Sequence, residues 1–290
     1  MRGSPRTEFL SRNLQNLTHL LIPVLPVVIA GQLPVLVRNF LLMQERRVAS
    51  VIVGEHVFGS AVEVKVRQRR NPRGGRVARQ LVECLAGDGV AVTLQNGLGN
   101  RETLAQSLGS DRVALGTTTT GATLLGPGLA RAGGEGVISI ERHPALGPIE
   151  VALRDAKFNL HLVEDAQSLI WGKLVINAAI NPLTALLRVP NGQLLERPSA
   201  RRMMSSLAQE TAQVASAEKI SLPFPDPIAA AEDVARKTGT NYSSMFQDVL
   251  RGAPTEIDAI CGAVVKTAQK HQIHTPANWA CWNLVKALVN

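Results

Sequence analysis

"WGKLVINAAINPLTALL", residues 171–187, sets the problem of the fold. Its leucines, isoleucines, valine and alanines demand burial, yet Lys173, Asn177 and Asn181 recur at intervals of four. On a helix that spacing stacks the three polar side chains along one face, one turn apart. An unpaired buried amide costs roughly 2–7 kcal/mol. The row therefore either looks into solvent or lines a cleft holding a partner or ligand. Asn181 has a further reading, because Pro182 interrupts the pattern and Asn181 suits the cap of a new helix with proline at its first position. Asn177 has no such alternative role, since asparagine is a poor mid-helix residue among apolar neighbours.

Working outward, the text changes character on either side of residue 166. Downstream, helical patterns cover 166–187, 198–219, 227–237, 243–251 and 255–271. Upstream, "GVAVTL" (89–94), "RVALGTTTT" (112–120) and "GVISIE" (136–141) read as short strands between Gly-rich turns, with helical spacing over 77–85. "VASVIV" (48–53) and the alternation of Val62, Val64 and Val66 add sheet character. The expected fold class is α/β followed by all-α, a partial Rossmann-like domain ahead of a helical C-terminal domain.

The 290 residues suffice for two cores. Cys84, Cys261 and Cys281 are widely spaced and odd in number, with neither a metal-type spacing nor a disulfide framework. No metal site is expected, and a reducing, cytoplasmic setting is. The formal net charge of +8 is concentrated at the front. Residues 1–80 hold twelve Arg and one Lys against four Glu, a net +9; the remaining eighteen cationic and nineteen acidic residues give −1. That basic front lacks interleaved aromatics or a nucleic-acid-reading motif, so no nucleic-acid partner is expected. The uncharged run "HLLIPVLPVVIAGQLPVLV" (19–37) has the length of a membrane span, but Pro23, Pro26 and Pro34 argue against one.

Two further stretches carry chemistry. "LQNGLGN" (94–100) closes a strand, the end at which open α/β sheets gather ligands; Asn96 offers an amide there, although Asn-Gly is also an ordinary turn. In "NYSSMFQDVLRGAPTEIDAICG" (241–262), Ser243 or Ser244 suits the cap of one helix and Thr255 the cap of the next, leaving Glu256 in a first turn.

Taken together, "LQNGLGN", "WGKLVINAAINPLTAL", "PNG" (190–192), "SSMFQD" (243–248) and "TEID" (255–258) resemble the 2-dehydropantoate 2-reductase, or ketopantoate reductase, family. The likeness runs from about Arg76 to the C-terminus. It implies a dinucleotide-binding domain, a helical domain, NADP as cofactor and a small 2-keto acid as substrate. It implies Lys173 as proton donor, and Asn96, Asn177, Asn181, Asn191 and Ser244 as substrate contacts. Asn96, Ala122 and Glu256 are implied as cofactor contacts.

The front departs from that pattern. The family opens on a strand and a G-x-G-x-x-G turn, where backbone amides cradle pyrophosphate. "GQLPVLVRNF" (31–40) and "GLGNRE" (97–102) do not supply it, and the first aspartate of the chain is Asp88. Residues 1–75 therefore read as an atypical front end, a displaced reading frame or a replacement. Residues 76–165 read as the remainder of the dinucleotide-binding domain, and 166–290 as the helical substrate and catalytic domain.

Overall fold

A computed structural model describes residues 50–53, 81–82, 85, 88–119, 122–126, 129–132 and 136–289. The expectations for residues 1–47, the alternation at 62–66 and most of the 77–85 helix lie outside the described residues, though Leu81 and Val82 are helical.

Every residue of β2 (Val90–Thr93) is buried, which is why its sequence runs apolar instead of alternating. It pairs in parallel with β1 (Ser50–Val53) and β3 (Val113–Thr118). β6 (Val137–Glu141) runs antiparallel to β3, and β7 (Asn159–Val163) runs parallel to β6, giving the order β1-β2-β3-β6-β7. A separate antiparallel pair, β4 (Ala122–Gly126) and β5 (Leu129–Ala132), occupies the Gly-rich stretch expected only as turns.

Period-two alternation sends the sheet's side chains to two cores. Ala91 and Val113 pack with Leu104 and Leu108 of α1 (Asn100–Leu108). Val90, Val92, Ile138 and Ile140 pack with Ile149 and Leu153 of α2 (Gly147–Asp155). Neither α2 nor β7 stands out in the sequence: α2 begins on Gly-Pro, and β7 is a short edge strand whose Asn159 and His161 face outward.

The C-terminal half is helical: α3 (Gln167–Leu187), α4 (Gln193–Glu196), α5 (Pro198–Ala217), α6 (Pro227–Lys237), α7 (Ser244–Leu250), α8 (Cys261–Lys270) and α9 (Pro276–Val289). α3 is its axis, packing against α5, α6, α7 and α9. Its length and hydropathy would suit a membrane span, but 72% of its most apolar window is buried inside the protein, as befits a core helix. Pro182 does not divide it. The helix runs through proline, so Asn181 is an interior residue and caps nothing. α9 was not expected from its sequence. Its first N–H groups are capped by a residue of α5, with the Glu210 carboxylate accepting from Ala277 and Asn278 at 2.9 Å each.

A small cluster of Leu115, Ala166 and Ile170, with Leu98 and Val163 against it, joins sheet to helices where α3 begins.

Candidate active site

The carboxyl ends of β2 and β3 meet the helical half along one seam. β2 leads into Gln95-Asn96-Gly97-Leu98-Gly99, with Gly97 at φ 82° and Gly99 at φ 89°. Gly97 is required by contact as well as by its positive φ. A Cβ there would lie 2.2 Å from the Ala259 carbonyl oxygen. The Leu98 N–H donates to that same oxygen at 3.2 Å, so the loop lies flat on the turn 256–260.

This close approach aligns the side chains. Asn96 Nδ2 donates to Glu256 Oε2 at 2.9 Å, a bond spanning 160 residues of sequence. The Asn96 Oδ1 is buried without a partner. Glu256 opens the turn that its carbonyl closes, accepting from the N–H groups of Ala259 and Ile260. α8 begins only at Cys261, so Glu256 does not sit in a helical first turn, and Thr255 does not cap that helix; its hydroxyl is buried and unpartnered.

Lys173 extends from α3 to the end of β3, where its Nζ donates to the Thr118 carbonyl at 2.6 Å. Burial pulls its ammonium down from an ordinary 10.5 to about 8, and the negative charge of Glu256 partly opposes the fall. The lysine thus remains mostly protonated at neutral pH while close to the point of giving up its proton.

The rest of the polar row follows α3. Asn177 is half-buried and Asn181 buried, and neither amide side chain bonds to another described residue. Their neighbours Leu174, Val175, Ala178, Ala179 and Ile180 are in the helical core. Asn191 is buried beyond the end of α3; its Nδ2 donates to Thr238 Oγ1 at 2.8 Å, and its Oδ1 has no partner. Its N–H donates to the carbonyl of Asn241, tying the "PNG" turn to the segment that precedes α7. Ser244 is the first residue of α7 and partly buried, while Ser243 is the cap, accepting from the Phe246 N–H at 3.1 Å.

The structure therefore joins Asn96 to Glu256 by a hydrogen bond, sets Lys173 within electrostatic reach of Glu256, and ties Asn191 and Ser244 to one neighbouring segment. Ala122 opens β4, and no described contact joins it to the others. Sequence reading missed the Thr118 carbonyl, the anchor of the ammonium. A main-chain oxygen leaves no compositional trace; only its place at the carboxyl end of a strand points to it.

Comparison with known proteins follows the same two halves. The family model described as "Ketopantoate reductase PanE/ApbA" matches residues 74–145, and "Ketopantoate reductase PanE/ApbA C terminal" matches 165–289. The 2-dehydropantoate 2-reductase of Halobacterium salinarum is 38% identical over 69% of this chain and 67% of its own. That of Archaeoglobus fulgidus is 37% identical, over 73% and 71%. Among solved structures, a PanE/ApbA family ketopantoate reductase from Ralstonia eutropha superposes with a TM-score of 0.69 at 28% identity, covering 74% of this chain and 72% of the other. A D-mandelate dehydrogenase with NADH gives a TM-score of 0.65 at 27% identity, covering 75% and 82%.

Proposed function

Because this chain belongs to the ketopantoate reductase PanE/ApbA family, we propose that it reduces 2-dehydropantoate to (R)-pantoate with NADPH, as a cytoplasmic step toward pantothenate. The observation carrying this reading is the Lys173 ammonium, held at 2.6 Å by the carbonyl that ends β3 and within electrostatic reach of the Glu256 carboxylate.

The residues present suit the reacting end of a nicotinamide dinucleotide. Asn96 supplies a buried, unpartnered amide oxygen at a strand's carboxyl end, with Glu256 behind it. A bound nicotinamide supplies the hydride. The pyrophosphate cradle has no counterpart in the sequence, since G-x-G-x-x-G is absent. The start of the first family match at residue 74 supports reading the front end as atypical, with 76–165 as the remainder of the dinucleotide-binding domain and 166–290 as the catalytic domain; β1 (Ser50–Val53) nevertheless pairs with β2, so that strand of the front end belongs to the same sheet.

The chain's own part in the chemistry follows from charge. Reduction of a ketone builds negative charge on its oxygen. An ammonium already oriented toward that point stabilises the charge without reorganising, then transfers its proton. One Lys173 N–H is committed to Thr118, which fixes the nitrogen and leaves others for the substrate oxygen. Asn177, Asn181, Asn191 and Ser244 hold the carboxylate and hydroxyl of the keto acid, keeping the carbonyl under the lysine. Ala122 contacts the cofactor.

The assay is NADPH oxidation on adding 2-dehydropantoate, with other branched 2-keto acids and NADH run in parallel. Turnover of 2-dehydropantoate is expected to exceed that of the other acids, and to fall about 10²–10⁴-fold in Lys173→Ala. Equal rates in wild-type and variant sink the reading.

A further inference from the structure

Three residues beyond Asn181 on α3, Thr184 is fully buried and its Oγ1 lies 2.7 Å from the Ser243 Oγ, which is buried too. The direction of that bond follows from counting protons. The Thr184 oxygen is also 3.0 Å from the carbonyls of Ile180 and Asn181, which only accept, so the single Thr184 proton goes to them. Ser243 already accepts from the Phe246 N–H at 3.1 Å. Its own proton therefore goes to Thr184. One directed chain results: Phe246 N–H to Ser243, Ser243 O–H to Thr184, Thr184 O–H to the main chain at Ile180 and Asn181.

We propose that Thr184 is a positioning residue for the keto acid, fixing the start of α7, and so Ser244, at a set distance from Asn181. Both ends of the chain of bonds carry residues assigned above to the substrate, so the inference rests on that functional reading. Position 182 is where a tie is needed. Proline there has no N–H, the Ala178 carbonyl loses its helical donor, and a proline-containing helix is free to bend between Asn177 and Thr184. A buried hydroxyl pair removes that freedom, because neither oxygen finds water if the pair opens.

The test compares the full chain with Thr184→Val, Thr184→Ser and Ser243→Ala. Binding of 2-dehydropantoate is measured by calorimetry with NADP⁺ present, which fills the cofactor site without delivering hydride, and the melting temperature is recorded for each protein. Thr184→Val and Ser243→Ala are each expected to weaken keto-acid binding about tenfold, and the double variant no further than the weaker-binding single one, because the Ser243–Thr184 bond is lost in all three. Thr184→Ser keeps the hydroxyl and is expected within twofold of wild-type; NADPH affinity stays constant throughout. A lower melting temperature in Thr184→Val with unchanged keto-acid affinity makes the pair a structural tie alone and overturns the proposal. A wild-type chain that neither binds nor reduces 2-dehydropantoate defeats the functional reading first, and this one with it.

Discussion

Gly97→Ala tests the seam between sheet and helices at its tightest point. The added methyl meets the Ala259 carbonyl oxygen at 2.2 Å, a backbone atom unable to swing aside. Restoring a separation of 3.0 Å requires the loop and the 256–260 turn to part by about 0.8 Å. Applied to the 2.9 Å Asn96–Glu256 bond, that displacement gives roughly 3.7 Å, beyond hydrogen-bonding range. A hydrogen bond to a charged group contributes about 1.5–3 kcal/mol, so kcat/KM for the keto acid is expected to fall about 10- to 150-fold. Alanine at φ 82° adds roughly 1–2 kcal/mol of backbone strain, which by itself lowers stability and not turnover per folded molecule. Gly99→Ala separates the two effects. Gly99 has φ 89° and nothing within 4 Å of its Cβ position, so that variant carries the strain without the clash. Steady-state kinetics on both, normalised to folded protein by calorimetry, should show the loss in Gly97→Ala only. Equal kcat/KM in the two variants refutes the coupling of loop to turn.

Three other perturbations bear on the same site. In the proposed mechanism reduction requires protonated Lys173, so the rate should decline as pH rises past about 8. Glu256→Gln removes the carboxylate that raises this value, and its alkaline limb should move to lower pH; an unmoved limb would show that the two charges do not interact. The depressed lysine also has a stability consequence. Below pH 8 it is charged in both folded and unfolded chains and its burial penalty is fully present; between 8 and 10.5 the unfolded chain binds more protons and the penalty disappears. Lys173→Met should therefore gain about 2 kcal/mol at pH 7, after allowance for residual solvent contact, and almost nothing above 10.5, as measured by urea unfolding at both pH values. Finally, without a Gly-rich phosphate turn the chain should bind NADPH weakly, and micromolar affinity in a fluorescence titration would mean that residues 1–75 supply phosphate contacts of their own.

Much of the candidate site is legible in the sequence because its residues break local rules. Lys173 and Asn177 stand out on α3 for the simple reason that an apolar helix has no use for them unless a cleft faces them. Asn96 was legible from its place after a buried strand. The caps were less so. Ser243 was one of two alternatives, and only the Thr184 hydroxyl and the Phe246 N–H converging on it decided between them. Thr255 was misread, because a threonine before glutamate suits a helix start whether or not one forms, and here the chain makes a turn from 256 to 260 first.

The sequence by itself determined the α/β-then-helical order, the polar face of α3 and the absence of a phosphate fingerprint, since all three are written in local periodicity and residue type. Tertiary structure alone decided the continuity of α3 through Pro182, the capping of α9 by Glu210 and the anchoring of Lys173 on a main-chain oxygen of β3. Each of these depends on groups tens of residues apart meeting in space, and a helix pattern or a turn dipeptide carries no information about what lies across from it.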